Sequence, residues 1–106
     1  MAKYLVQASY TAEGTKGLLK DGGSARQAAV KRATEGLGGK LESFYYAFGA
    51  TDVFAIVEAS DTVSAMALSL AVNATGAVRS TLTPLVSVQE VDAACKKTVG
   101  YRAPGA

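Results

Sequence analysis

Residues Lys3 to Tyr10 alternate in character, with Tyr4, Val6, Ala8 and Tyr10 on one side of an extended segment and Leu5, Gln7 and Ser9 on the other, which predicts a strand. Thr11 is placed to cap a helix running through Leu18 and Leu19, and the glycines of KDGGSAR interrupt it. Ser24, followed three residues later by Gln27, has capping-box spacing and predicts a second helical stretch from there to Leu37, ended by Gly38 and Gly39.

Lys40 to Phe48 and Val53 to Glu58 read as two strands joined by Gly49-Ala50-Thr51-Asp52, a hairpin that would set Phe48 against Val53, Tyr46 against Ala55 and Phe44 against Val57. Asp61 offers a cap for a helix from Thr62 to about Ala74, with Ala65, Leu68, Ser69 and Val72 on one face and Gly76 to stop it. Ala77 to Leu85 gives a fourth strand. Ser87 and Glu90 repeat the capping-box spacing before a short helix to Lys97, and the tail from Thr98 is expected to be loose.

Strand, helix, strand, strand, helix, strand is the order of an α+β, ferredoxin-like βαββαβ fold, with antiparallel sheet order 4-1-3-2 and both main helices on one face. A short C-terminal helix is added. Residues 1–97 form one domain on this reading, and 98–106 a flexible C-terminal tail.

Such a sheet has two faces, and two helices cover one of them. Val53-Phe54-Ala55-Ile56-Val57 is apolar on both. The second face would carry Ser43, Tyr45, Phe54, Ile56 and Glu58, joined by Gln7 and Ser9 from the first strand and Arg79, Thr81 and Thr83 from the fourth. That mixture is too apolar for open water and too polar for a plain core. A second protomer packed sheet to sheet would cover it and give a dimeric α/β barrel; the alternative cover is the C-terminal helix.

Composition narrows the chemistry. Eleven Lys and Arg against nine Asp and Glu give a net charge of +2, spread from Lys3 to Arg102 without a block, so neither nucleic acid nor an anionic membrane is an expected partner. Histidine is absent and Cys95 is the one cysteine, which removes His-based triads, Cys–His dyads, zinc clusters and intrachain disulfides. No metal or cofactor is called for. The first residues lack the layout of a secretory signal and no apolar run approaches ~20 residues, so a cytoplasmic protein is expected.

The stretches YLVQASYTAEGTKGLLKDGGSARQAAV, GGKLESFYYAFGATDVFAIVE and LAVNATGAV, in that order and spacing, resemble the GYD domain family of small bacterial proteins, from about residue 3 to about residue 92. The resemblance implies a ferredoxin-like fold of the dimeric α/β barrel kind. Related barrels include cofactor-free monooxygenases, isomerases and ligand-sensing domains, so the fold leaves the class of activity open. The family's Gly-x-Tyr-Asp signature corresponds to Gly49-Ala50-Thr51-Asp52, where the tyrosine is missing and Thr51 supplies no phenol.

In the 4-1-3-2 topology Tyr10, Asp52, Asn73 and Arg79 fall at one end of the sheet, where a phenol, a carboxylate, an amide and a guanidinium would polarise a small carbonyl or phenolic ligand. Asp52 has two readings: the proton acceptor of a cofactor-independent enzyme, catalytic if burial raised its pKa, or a turn residue accepting backbone N–H bonds. Tyr10, Asn73, Arg79 and Tyr45 are the candidate ligand-binding residues. Ser24 and Arg26, after Gly22 and Gly23, offer an anion site or simply a capped helix start. Cys95 beside Lys96 and Lys97 has either a lowered thiol pKa or no role. The expectation is a homodimer or higher homo-oligomer holding a small organic ligand between sheet and partner, with a cofactor-independent enzyme (isomerase or monooxygenase type) and a ligand-free assembly module as alternatives.

Overall fold

A computed structural model describes residues 1–106 as β1 (Ala2–Tyr10), α1 (Ala12–Asp21), α2 (Gly23–Gly36), β2 (Lys40–Tyr46), β3 (Val53–Ala59), α3 (Thr62–Ala74), β4 (Val78–Leu85) and α4 (Val88–Cys95). The strands form one antiparallel sheet in the order β2-β3-β1-β4, which is 4-1-3-2 read from the other edge. The fold is α+β and ferredoxin-like, as the alternation of the chain predicts.

Three helix starts are built by the capping residues read from the sequence. Thr11 accepts the Gly14 N–H at 3.2 Å, Asp61 accepts the Ser64 N–H at 2.7 Å, and Ser87 with Glu90 forms a complete capping box. The Ser24–Gln27 box does not form. Gly22, at φ 85°, ends α1 and is itself the N-cap of α2, so the helix starts at Gly23 and Ser24 already lies within its first turn. A residue with a Cβ is disfavoured at that φ, which is why both helices meet at a glycine.

The hairpin register differs from the sequence expectation by two residues. Tyr46 pairs with Val53 and Phe44 with Ala55, strand β2 ends at Tyr46, and the connection is residues 47–52. Asp52 is the cause. Its N–H donates to the Ala8 carbonyl at 2.9 Å and its carboxylate accepts the Tyr10 N–H at 2.8 Å, so it extends the ladder along β1 instead of turning the hairpin. A bulge between Leu41 and Ser43 absorbs Glu42, whose carboxylate meets Lys3 Nζ at 2.7 Å. A shift of two keeps Ser43, Phe44, Tyr45 and Tyr46 on their expected faces, while the bulge turns Leu41 inward beside Val57 and Phe48 is left fully exposed.

On the inner face, Tyr4, Ala8, Val53, Ala55 and Val57 are buried beneath the helices, together with Ala65 of α3. α2 packs chiefly on β2 and α3 on β4, so these two helices lie over the same face toward its opposite edges. α1 fits against the entry to β4 because Gly14 has no side chain: a Cβ there would stand 1.9 Å from the Ala77 carbonyl oxygen. The Thr11 N–H donates to that same oxygen.

No helix covers the outer face. The C-terminal helix, which the sequence offered as one possible cover, stands off: every residue from Thr83 to Ala106 is exposed. The radius of gyration is 17.0 Å, where a compact chain of this length would have about 13 Å. The C-terminal segment therefore projects from the body of the domain.

Candidate functional site

The sheet has a depression on each side. On the outer face, Gln7, Ser9, Thr51, Asn73, Arg79 and Thr81 border an open polar basin at the end of β1 and β4. On the inner face, between the sheet and helices α2 and α3, lies a cleft of about 160 Å³ whose walls are mostly apolar.

The candidate residues are divided between these depressions. Tyr10 and Arg79 come from adjacent strands at the same end of the sheet, yet Tyr10 is level with Val78 and Ser9 with Arg79. Neighbouring positions on a strand face opposite ways, so Tyr10 lines the inner cleft while Arg79 stands at the outer basin. Asn73 borders the basin but spends its amide on structure. Its Oδ1 accepts the Ser80 N–H at 2.8 Å and its Nδ2 donates to the Ser69 carbonyl at 2.9 Å, tying the end of α3 to the edge strand β4. Tyr45 is 71% exposed on the outer face, in a row with Phe54, Gln7 and Thr81, three strands away from the basin's β4 wall.

Asp52 is half-buried and holds β1 through the two hydrogen bonds already described, one of them from its carboxylate. The same connection is anchored a second time by the Ser9 hydroxyl, which donates to the Ala50 carbonyl at 2.8 Å. Thr51, between these anchors, reaches the rim of the basin.

The inner cleft has a polar end that single positions in the sequence did not reveal. Arg26 is the one charged residue among those lining it, and Tyr10 lines it as well. Tyr46 stands nearby and donates its hydroxyl to the Gly23 carbonyl at 2.9 Å. Burial pushes the Tyr46 phenol up to about 12, the neighbouring Tyr10 phenol adds to the rise, and Arg26 opposes it. The signal that Arg26 faces inward is its helical spacing to Ala29, Val30 and Ala33, an apolar stripe on α2 that lines the same cleft. The capping spacing at Ser24 drew the reading to the helix start instead.

The family model of the GYD domain matches residues 4–95. The chain belongs to the GYD domain family. Comparison with curated proteins and with solved structures gave no match. In this GYD domain Gly49 to Asp52 belong to the connection pinned to β1, and Asp52 carries a backbone-ordering bond. No helix is long and apolar enough to cross a membrane.

Proposed function

We propose that this GYD domain works as a homo-oligomer, at least a dimer, in which a second copy covers the outer sheet face and roofs the polar basin, and that a small organic molecule binds between them. One observation carries the reading: an uncovered sheet face with Leu5, Phe54 and Ile56 on its two central strands beside Gln7, Tyr45 on its β2 edge, and further polar groups at its ends.

Charge does not oppose self-association. Arg79 lies at one end of this face, and at the other Glu58 and Glu42 stand among Lys3 and Lys40, with Lys3 Nζ paired to Glu42, so no like-charged block repels a second copy. Strand geometry gives a four-stranded face of this length roughly 500 Å². A standard interface takes about 800 Å² from each partner. The projecting segment from Val86 onward, with Val86, Val88 and Val91 exposed, supplies apolar surface for the remainder.

Arg79 gives the roofed basin a preference for a ligand with an acidic or strongly accepting group, with Gln7, Ser9 and Thr81 as further polar contacts. Asp52, already engaged with β1, enters as a positioning residue for the basin's rim. A cytoplasmic setting suits the exposed, unpaired thiol of Cys95. Native mass spectrometry of the purified protein tests both halves of the reading. The expected spectrum shows multiples of the 10.8 kDa chain, with fewer small carboxylates retained by Arg79→Gln than by the wild type. A monomer at all concentrations, or retention unaffected by Arg79→Gln, contradicts the reading.

A further inference from the structure

The inner cleft is separate from the proposed oligomer face and asks for its own explanation. Small side chains make it: Ala8 and Ala55 on the sheet and Ala29 and Ala33 on α2 leave space where bulkier residues would close the gap between the two helices. The floor is well buried, since Ala8 is 7% exposed, Val53 4% and Ala55 2%. An apolar hollow of this size is a poor place for water, because a buried water needs two to four polar partners, whereas cavities of about 150 Å³ lined by aliphatic and aromatic groups take up one benzene ring. The opening lies between helices that rest on different strands, so a ligand has a way in.

One end of the hollow is chemically distinct. Arg26 brings a permanent positive charge and Tyr10 a phenol; Glu13 and Asp21 border the adjoining depression that Arg26 also lines, but neither lines the cleft or forms an ion pair with the guanidinium. We propose that this cleft binds a compact organic acid of about one ring's bulk, its apolar body against Ala8, Ala29 and Ala55 and its carboxylate at Arg26 and Tyr10. A neutral molecule of the same shape gains only the apolar contacts. A diacid or a long-chain acid exceeds what the hollow encloses.

Titration calorimetry of the intact protein with benzoate, and in parallel with benzyl alcohol, tests this. Wild type binds benzoate saturably and more tightly than benzyl alcohol. Arg26→Gln weakens benzoate by about tenfold or more, the weight of one charge-assisted contact, and leaves benzyl alcohol unchanged. Ala29→Leu, which fills the cleft from α2, removes both. The half-exposed position of Arg26 keeps the test open should Ala29→Leu fail to fold. Absence of saturable benzoate binding, or an unchanged preference in Arg26→Gln, overturns the inference. Loss of benzoate binding in Arg79→Gln but not in Arg26→Gln also overturns it, and assigns the acid to the outer basin.

Discussion

The two faces of one strand, β3, show how this domain divides its work. Val53, Ala55 and Val57 point inward and are 4%, 2% and 1% exposed, while Phe54, on the other side of the same backbone, is 37% exposed. The residues are equally apolar; the difference is what covers them. Inward, α2 and α3 supply a roof, incomplete at the cleft. Outward, nothing in the chain does, and the C-terminal segment that might have folded back points away. A strand apolar on both sides is the usual sign of burial on both sides. The comparison therefore teaches that the inner face belongs to the folding of one chain, while the outer face is left open for the association proposed above.

The sharpest way to break the inner side is Gly14→Ala. A Cβ at 1.9 Å from a backbone oxygen cannot be relieved by a side-chain rotation, so α1 must shift off β4. We expect a loss of at least about 3 kcal/mol in urea unfolding, at the upper end of overpacking costs. Val57→Ala follows at about 2–3 kcal/mol through lost burial and a residual cavity. Its fall in melting temperature should be the same at every protein concentration. Ile56→Lys, one residue away, should behave oppositely: a small effect on the dilute chain, but loss of the concentration dependence that mass action gives an associating protein. Equal behaviour of the two variants would erase the distinction between the faces.

Asp52 gives a finer test. Asn at this position still presents an oxygen to the Tyr10 N–H but without the charge, so Asp52→Asn should cost about 1 kcal/mol, and Asp52→Ala about 2 kcal/mol by orphaning that N–H. Hydrogen exchange of the Tyr10 amide would report the bond directly. The smallest expected effect is at Asp61, on the surface. The Ser64 N–H holds its carboxyl below the usual 3.8. Because the folded value is the lower one, its contribution is present above the unfolded value and disappears as pH falls through the folded one. Urea midpoints between about pH 5 and pH 3 should fall slightly less in Asp61→Asn than in wild type.

Strand order, three helix caps and the membership of each sheet face were legible because they rest on alternation and local spacing. The hairpin register was not, since it is set by bonds from Asp52 to Ala8 and Tyr10, far away in sequence, and by the bulge at Glu42. Nor was the start of α2, where the positive φ of Gly22 took the place of a side-chain cap. Tyr10, Asp52, Asn73 and Arg79 do share one end of the sheet, yet the two-residue period sends Tyr10 and Arg79 to opposite faces, a consequence the alternation itself contained. The inner cleft depends on how far apart α2 and α3 lie, and no local pattern encodes that distance.

The division between the faces is tested most directly by sedimentation of the wild type and of Ile56→Lys over a dilution series. The account predicts a wild type that sediments as a dimer or larger and dissociates on dilution, beside a folded, monomeric Ile56→Lys. A wild type that is monomeric throughout, or an Ile56→Lys that associates as strongly as its parent, would contradict it.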